Sequence, residues 1–307
     1  MSTVVALATP ALIEAVGEVP GVETVLWDGR ELPDRAAEVE LVVAPYNTAG
    51  LPDLSGFPRL RVVQVQSAGY DGMVEQLPPG VALANATGVH DDATAELALG
   101  VTLASLRGID DAVRNQGRWI RDLSRRSLAD SRVLVLGYGS IGRAVAERML
   151  ACKAVVTGVA SRPRPDDLLD SVHGPDDLPR LLPETDVLVV VLPLSEATRH
   201  VVDDAFLAQL PDGALVVNVG RGPLLDTDAV LAHAGRLRFA LDVTDPEPLP
   251  PEHPLWQAPG VLITPHVAGG TTAMLPRMAA LARAQIEAYV AGEPLRNVVH
   301  APDAASS

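Results

Sequence analysis

The sequence predicts an α/β protein built on parallel sheets covered by helices. Three observations predict it. Short β-branched runs alternate with helix-like segments along the chain. Aromatic residues are 3% and hydrophobic residues 48%, so the core must be made of Ala, Val and Leu. That composition suits strands buried on both faces. At 307 residues the chain can also hold two domains, each with its own core.

The elements follow in order. In the front third, TVVALA (3–8), ETVLWD (23–28), LVVAPY (41–46), RVVQVQ (61–66) and VALANA (81–86) read as strands bounded by turn residues. TAELALGVTLASLR (94–107) has helical spacing, with Asp91, Asp92 and Thr94 crowding its start as cap candidates. A polar, arginine-rich arm over 114–126 follows. Six further strand candidates come next: RVLVLG (132–137), AVVTGVA (154–160), VLVVVLP (187–193), ALVVNVG (214–220), RFALDV (238–243) and VLITPH (261–266). Helices over 141–151 and 227–234 lie among them, which fits a doubly wound sheet. A long helix spans 272–290, with Pro276 in its first turn, where proline is tolerated. The closing APDAASS reads as disordered.

Bulk properties exclude several classes. The formal net charge of −15 argues against nucleic acid as a partner. No apolar run reaches the roughly 18 residues of a membrane span. The opening MSTVVALATP lacks a basic start and a cleavage site, so no signal peptide is expected. The single cysteine, Cys152, excludes an intrachain disulfide, and a cytoplasmic location is expected. No histidine stands near it in sequence, so Cys152 reads as a small apolar residue. No metal site is expected.

VLVLGYGSIGRAVAERM places Gly137, Gly139 and Gly142 as G-x-G-x-x-G between a strand and a helix. Gly137 permits the tight turn, Gly139 lets the backbone approach a pyrophosphate, and Gly142 packs helix against strand. Ser140 and Ile141 complete the loop at the helix N-terminus, where free N–H groups favour phosphate. An NAD-selective site usually has Asp or Glu at the end of the next strand. Here Ala160 is followed by Ser161, Arg162 and Arg164. Arginine forks suit a 2′-phosphate, so the expected cofactor is NADP(H), with NAD(H) possible. A solvated basic loop is the other reading. Pro163 and Pro165 would stiffen the loop.

Three segments end strands in the same half. They place Arg221 in VVNVGRGPLLD, Asp242 and Glu247 in ALDVTDPEPLPPEHPLW, and His266 in VLITPHVAGG. In an open α/β sheet, ligands bind beyond the carboxyl ends of the strands, so these could converge. Hydride transfer at carbon needs a proton at oxygen, which histidine can move near neutral pH. A carboxylate beside it orients the ring, and an arginine offers a planar fork for a substrate carboxylate. Singly, each residue also fits an ordinary loop or surface role.

Together, LVLGYGSIGRAVAERM, VVVLPLSEATRHVV, VVNVGRGPLLDTDAVLAHA, ALDVTDPEPLPPEHPLW and LITPHVAGGT resemble the D-2-hydroxyacid dehydrogenase family. The likeness covers about residues 85–300 well and the first 85 loosely. It implies a Rossmann cofactor domain (96–270) inserted into a flavodoxin-like substrate domain (1–95, completed by 271–307). It implies Arg221 on the substrate carboxylate and carbonyl, His266 as acid/base and Glu247 as its partner. Asp242 would hold the nicotinamide amide, with Leu192, Pro193 and Val219 lining the cofactor. QSAGYDGM resembles the family's substrate loop, so Ala68 and Gly69 would hold the carboxylate through backbone N–H groups. A Ser/Thr–Arg pair like Ser161–Arg162 is frequent in members resembling hydroxypyruvate/glyoxylate reductases. ACKAVV departs from the family's glycine-containing helix end near Cys152. The resemblance implies NADPH-driven reduction of a 2-oxo acid to the (R)-2-hydroxy acid, weakening in alkali as His266 deprotonates, and a homodimer. A corepressor-like NAD(P)H sensor of the same fold is the alternative.

Overall fold

The computed structural model describes residues 2–46 and 50–302. The chain divides into two compact units, Met1–His90 with Thr272–Ser307, and Asp91–Thr271.

The first unit holds a six-stranded sheet. Its strands are β1 (Thr3–Leu7), β2 (Val22–Leu26), β3 (Val39–Val43), β4 (Val62–Gln64), β5 (Ala82–Ala84) and the late β14 (Val298–His300). Their order is β14-β5-β4-β3-β1-β2. β1 to β5 are parallel and β14 closes the edge antiparallel. Without β14 this is the 2-1-3-4-5 order of flavodoxin-like sheets. Period-2 alternation sends Val4 and Ala6 to one apolar layer and Val5 and Leu7 to the other. Both layers are built mainly from Val, Leu and Ala, as the aromatic-poor composition predicts. Helix α1 (Pro10–Val16) is capped by Thr9, whose hydroxyl accepts the Leu12 N–H. From the far end of the chain, the helix Met274–Ala291 buries Met278, Ala282 and Ile286 beside Leu12 and Val16.

The second unit opens with α2 (Asp91–Arg107), which starts three residues before the expected Thr94. A short helix, α3 (Ile109–Arg114), leads into the arm. The sheet has eight strands: β6 (Arg132–Leu136), β7 (Val155–Val159), β8 (Arg164–Asp166), β9 (Asp170–His173), β10 (Val187–Val190), β11 (Leu215–Asn218), β12 (Arg238–Leu241) and β13 (Val261–Ile263). Their order is β13-β12-β11-β10-β6-β7-β9-β8, the 3-2-1-4-5-6 pattern with strands added at both edges. Every residue of β10 and β11 is buried, because helices cover both faces. Helix α4 (Ser140–Ala151) follows β6, while α5 (Leu178–Leu181), α6 (Asp204–Leu207) and α7 (Thr227–His233) occupy later crossovers. The C-terminal helix of the chain is α8 (Met274–Ala291).

Two expectations change. The stretch behind Ala160 is not only a loop: Arg164–Asp166 forms β8 and pairs antiparallel with β9. Pro165 is tolerated because β8 is an edge strand, where a missing N–H breaks no inner ladder. The turn after Cys152 needs no glycine, since Lys153 itself adopts φ +66°. Of the closing APDAASS, residues 303–307 lie outside the described residues. No helix among the described residues is long and apolar enough to cross a membrane. No group of three metal-ligating side chains is found among them.

Candidate active site

The glycine loop leaves β6 and enters α4 in three steps. Gly137 has φ +108°, and a Cβ there would fall 2.6 Å from the Val191 carbonyl oxygen. A Cβ on Gly142 would fall 2.3 Å from the Gly137 carbonyl oxygen. Both glycines are therefore dictated by close backbone approach. Gly139 is different: a Cβ there would meet nothing within 4 Å. Its open side comes with the lack of a side-chain cap on α4, so the first-turn amides of Ser140, Ile141 and Gly142 have no capping side chain. Such a cradle fits a dinucleotide pyrophosphate. Behind it, Ser161 and Arg162 are exposed, and Arg162 makes no hydrogen bond or ion pair among the described residues.

Close approaches then run across the sheet. Gly137 abuts Val191 and Leu192, and a Cβ on Gly220 would lie 3.1 Å from the Leu192 carbonyl oxygen. Gly222 is pressed on the next loop, where a Cβ would fall 1.8 Å from the Thr244 carbonyl oxygen. The carboxyl ends of β6, β10, β11 and β12 are thus stitched side by side. Leu192 is half-buried, Pro193 exposed and Val219 buried along this seam.

At the β12 and β13 ends, His266 Nδ1 lies 2.5 Å from Glu247 Oε1. The two side chains are 27% and 36% exposed, so the dyad meets solvent without being fully hydrated. His266 adopts φ +51°, a left-handed conformation rare for non-glycine residues. Asp242 supports it. This carboxylate is 2% exposed, and its Oδ1 accepts the Thr264 hydroxyl at 2.6 Å and the Val267 N–H at 3.0 Å. Its Oδ2 accepts the Ala268 N–H at 3.0 Å, and the His266 N–H donates to the Asp242 carbonyl at 2.7 Å. One buried anion therefore holds the turn that presents the imidazole.

Arg221 follows β11. Its Nη1 donates to the Gly220 carbonyl at 2.8 Å, and its own carbonyl accepts the Asn218 side-chain N–H at 2.8 Å. Asn218 is fully buried and also accepts the Gly220 N–H at 3.1 Å. Sequence reasoning missed Asn218 and Thr264. The signal was a polar residue closing an apolar run, as in LVVN and VLIT. In the first unit, Ala68 and Gly69 follow β4, and the Ala68 carbonyl accepts the Asn85 side-chain N–H at 2.7 Å. Among the described residues nothing accepts the N–H groups of Ala68 and Gly69. Near the QSAGYDGM loop, Met73 is core and Tyr70 is exposed.

A phosphate cradle and an acid/base pair at the carboxyl ends of one doubly wound sheet mark a dinucleotide-dependent oxidoreductase. Known proteins narrow the class. Residues 99–268 match the family model for "D-isomer specific 2-hydroxyacid dehydrogenase, NAD binding domain". A glyoxylate reductase of Thermofilum pendens is 31% identical over 250 residues, 77% of this chain and 74% of that protein. A Xanthobacter autotrophicus D-isomer specific 2-hydroxyacid dehydrogenase, solved with NADPH and MES, superposes with a TM-score of 0.82 at 30% identity, covering 98% of each chain. An NADPH-dependent glyoxylate/hydroxypyruvate reductase of Sinorhizobium meliloti, solved with NADP and sulfate, gives a TM-score of 0.82 at 30% identity, covering 97% of this chain and 98% of that one. The chain belongs to the D-isomer specific 2-hydroxyacid dehydrogenase family, and its second unit carries that family's NAD-binding domain.

Proposed function

We propose that this protein reduces a short 2-oxo acid, of the glyoxylate or hydroxypyruvate class, to the 2-hydroxy acid, in the (R) form where the carbon is stereogenic. NADPH is the preferred cofactor. The observation that carries this reading is the His266–Glu247 contact on the sheet that also bears the glycine cradle. When bound, the nicotinamide supplies the hydride. His266 gives its proton to the substrate oxygen, and Glu247 orients the ring through Nδ1. Arg221 offers a planar fork for the substrate carboxylate, and in the first unit the amides of Ala68 and Gly69 are donors suited to a carboxylate. Gly137, Gly139, Ser140, Ile141 and Gly142 hold the pyrophosphate, while Leu192, Pro193 and Val219 line the rings. Asp242 serves the nicotinamide end by fixing the 264–268 turn. Ser161 and Arg162 take the 2′-phosphate. The relatives named as glyoxylate or hydroxypyruvate reductases support the substrate class, and those solved with NADPH or NADP support the cofactor. The working form is a homodimer.

The test is a panel of glyoxylate, hydroxypyruvate, pyruvate and longer 2-oxo acids, run with NADPH and NADH side by side in wild type and Arg162→Ala. Turnover is expected on the two-carbon and three-carbon acids, with NADPH favoured and that preference lost in the variant. No turnover on any acid would reject the reductase reading. A wild-type preference for NADH would reject the cofactor reading alone.

A further inference from the structure

Tyr138 stands between the first two glycines of the loop, where the phosphate cradle has no use for its side chain. The side chain nonetheless turns inward and is 3% exposed. Its ring fills the space beside β7, where a Cβ on Gly158 would fall 2.7 Å from the ring. Gly158 lacks a positive φ, so the ring explains this glycine better than the backbone does. The Tyr138 hydroxyl donates to Asp166 Oδ1 at 3.0 Å, at the end of β8. The same oxygen accepts the N–H groups of Leu168 and Leu169 at 3.0 and 3.1 Å. From the start of β8, Arg164 donates to the Tyr138 carbonyl at 2.7 Å, with its guanidinium carbon 5.8 Å from the ring centroid. One residue inside the glycine loop thus ties down both ends of the strand that follows Ser161 and Arg162.

The charges near this strand are sorted as well. Arg143, in the first turn of α4, lies 3.3 Å from Asp166 and forks onto Asp167 at 2.6 and 3.0 Å. Burial alone would raise the Asp166 carboxyl. The hydrogen bonds from Leu168, Tyr138 and Leu169, together with the Arg143 charge, outweigh it and hold the group below its ordinary pKa. Burial, reinforced by the bond to Asp166, pushes the Tyr138 hydroxyl upward, so it stays a donor across the working pH range. Two carboxylates that would repel a phosphate are matched by Arg143. Arg162 is left unmatched among the described residues.

We propose that Tyr138 is a positioning residue for cofactor choice: by latching Asp166 and Arg164 it presets the Ser161–Arg162 segment for a 2′-phosphate. This rests on the NADP(H) reading above. A segment held in place before binding loses less conformational freedom when the phosphate docks, and the gain is confined to the ligand that has the phosphate. The same latch offers nothing to NADH.

Tyr138→Phe removes the hydroxyl and keeps the ring. Steady-state kinetics with one 2-oxo acid would give KM and kcat for both cofactors. Calorimetry would compare binding of 2′,5′-ADP with that of 5′-AMP. KM for NADPH is expected to rise about 5- to 20-fold, a part of the roughly 10- to 150-fold scale of one lost hydrogen bond to a charged group because the latch acts through the segment it holds, with kcat and the NADH constants nearly unchanged. Binding of 2′,5′-ADP should weaken in parallel, and that of 5′-AMP should not. A merely structural role would move both cofactors together, and that outcome overturns the proposal, as does an unchanged KM for NADPH. If wild type favours NADPH and Arg162→Ala abolishes the preference, a silent Tyr138→Phe sinks the latch alone. If Arg162→Ala leaves NADPH binding intact, the latch and the reading beneath it both fall.

Discussion

At the scale of single residues, geometry separates the imidazole proposed to move the proton from the groups that hold its turn. His266→Ala removes the proposed proton donor and should lower kcat by on the order of 10²–10⁴, measured by cofactor oxidation with saturating substrate. Asp242→Asn keeps the shape but turns an acceptor oxygen into a donor facing backbone N–H groups of Val267 or Ala268. The expected result is a kcat lower by about 10–100-fold, because a displaced imidazole-bearing turn spoils the proposed reacting geometry, with stability falling by roughly 1–3 kcal/mol. Kinetics and urea unfolding on the same sample would check both. Lys153 bears a left-handed φ of +66°, so Lys153→Gly should stabilise the second unit by about 1 kcal/mol, read as a higher urea midpoint. Arg221 and His266 stand out in the sequence because each closely follows an apolar run, whereas Glu247 lies in a proline-rich loop with no such marker. The support given by Asn218 and Thr264 was not, because it runs to the Arg221 carbonyl and the Asp242 carboxylate, and only the folded backbone brings those within reach.

At the scale of elements, strands buried on both faces announced themselves. Val187, Leu188, Val189 and Val190 alternate between the two apolar layers of the second unit, so an unbroken apolar run was required. Edge strands carry no such demand. β8 reads Arg-Pro-Asp and β9 reads Asp-Ser-Val-His, and only Val172 of the seven is buried. Their pairing comes from position in the sheet, and the sequence holds little trace of it. The arm is tied to the sheet by Asp186, whose Oδ1 meets Arg126 at 2.8 Å and whose Oδ2 accepts the Arg132 N–H at 2.8 Å. Burial opposes its charge, but the Arg132 bonds and the Arg126 and Arg132 charges win and hold its pKa below the ordinary value. A carboxylate depressed in the folded state stabilises above its unfolded pKa of about 3.9, and that stabilisation is lost as pH falls through the lower folded value. Asp186→Asn should therefore cost roughly 1–3 kcal/mol at neutral pH, shrinking towards zero in strong acid, as urea titrations at several pH values would show.

At the scale of the whole molecule, the arm is the feature the chain does not use on itself. Its base is fastened: Arg126 donates to the Gly213 carbonyl at 2.8 Å, and Arg125 meets Asp111 at 2.8 Å. Its tip is apolar and open, with Trp119 99%, Leu123 80% and Ile120 61% exposed. A tryptophan held out in water among arginines has the composition of an interface centre. Charge points the same way, since residues 114–126 hold five arginines and one aspartate in a chain of net charge −15. A basic arm is attracted to the acidic surface of a second copy, and salt should weaken that attraction. Sedimentation velocity is expected to show a dimer of the 32.2 kDa chain at low ionic strength. Trp119→Ser combined with Leu123→Ser should give a monomer with an unchanged circular dichroism spectrum, because neither side chain packs within its own chain. A wild-type chain that sediments as a monomer at every concentration would leave the arm without its partner and remove the homodimer from the proposed function.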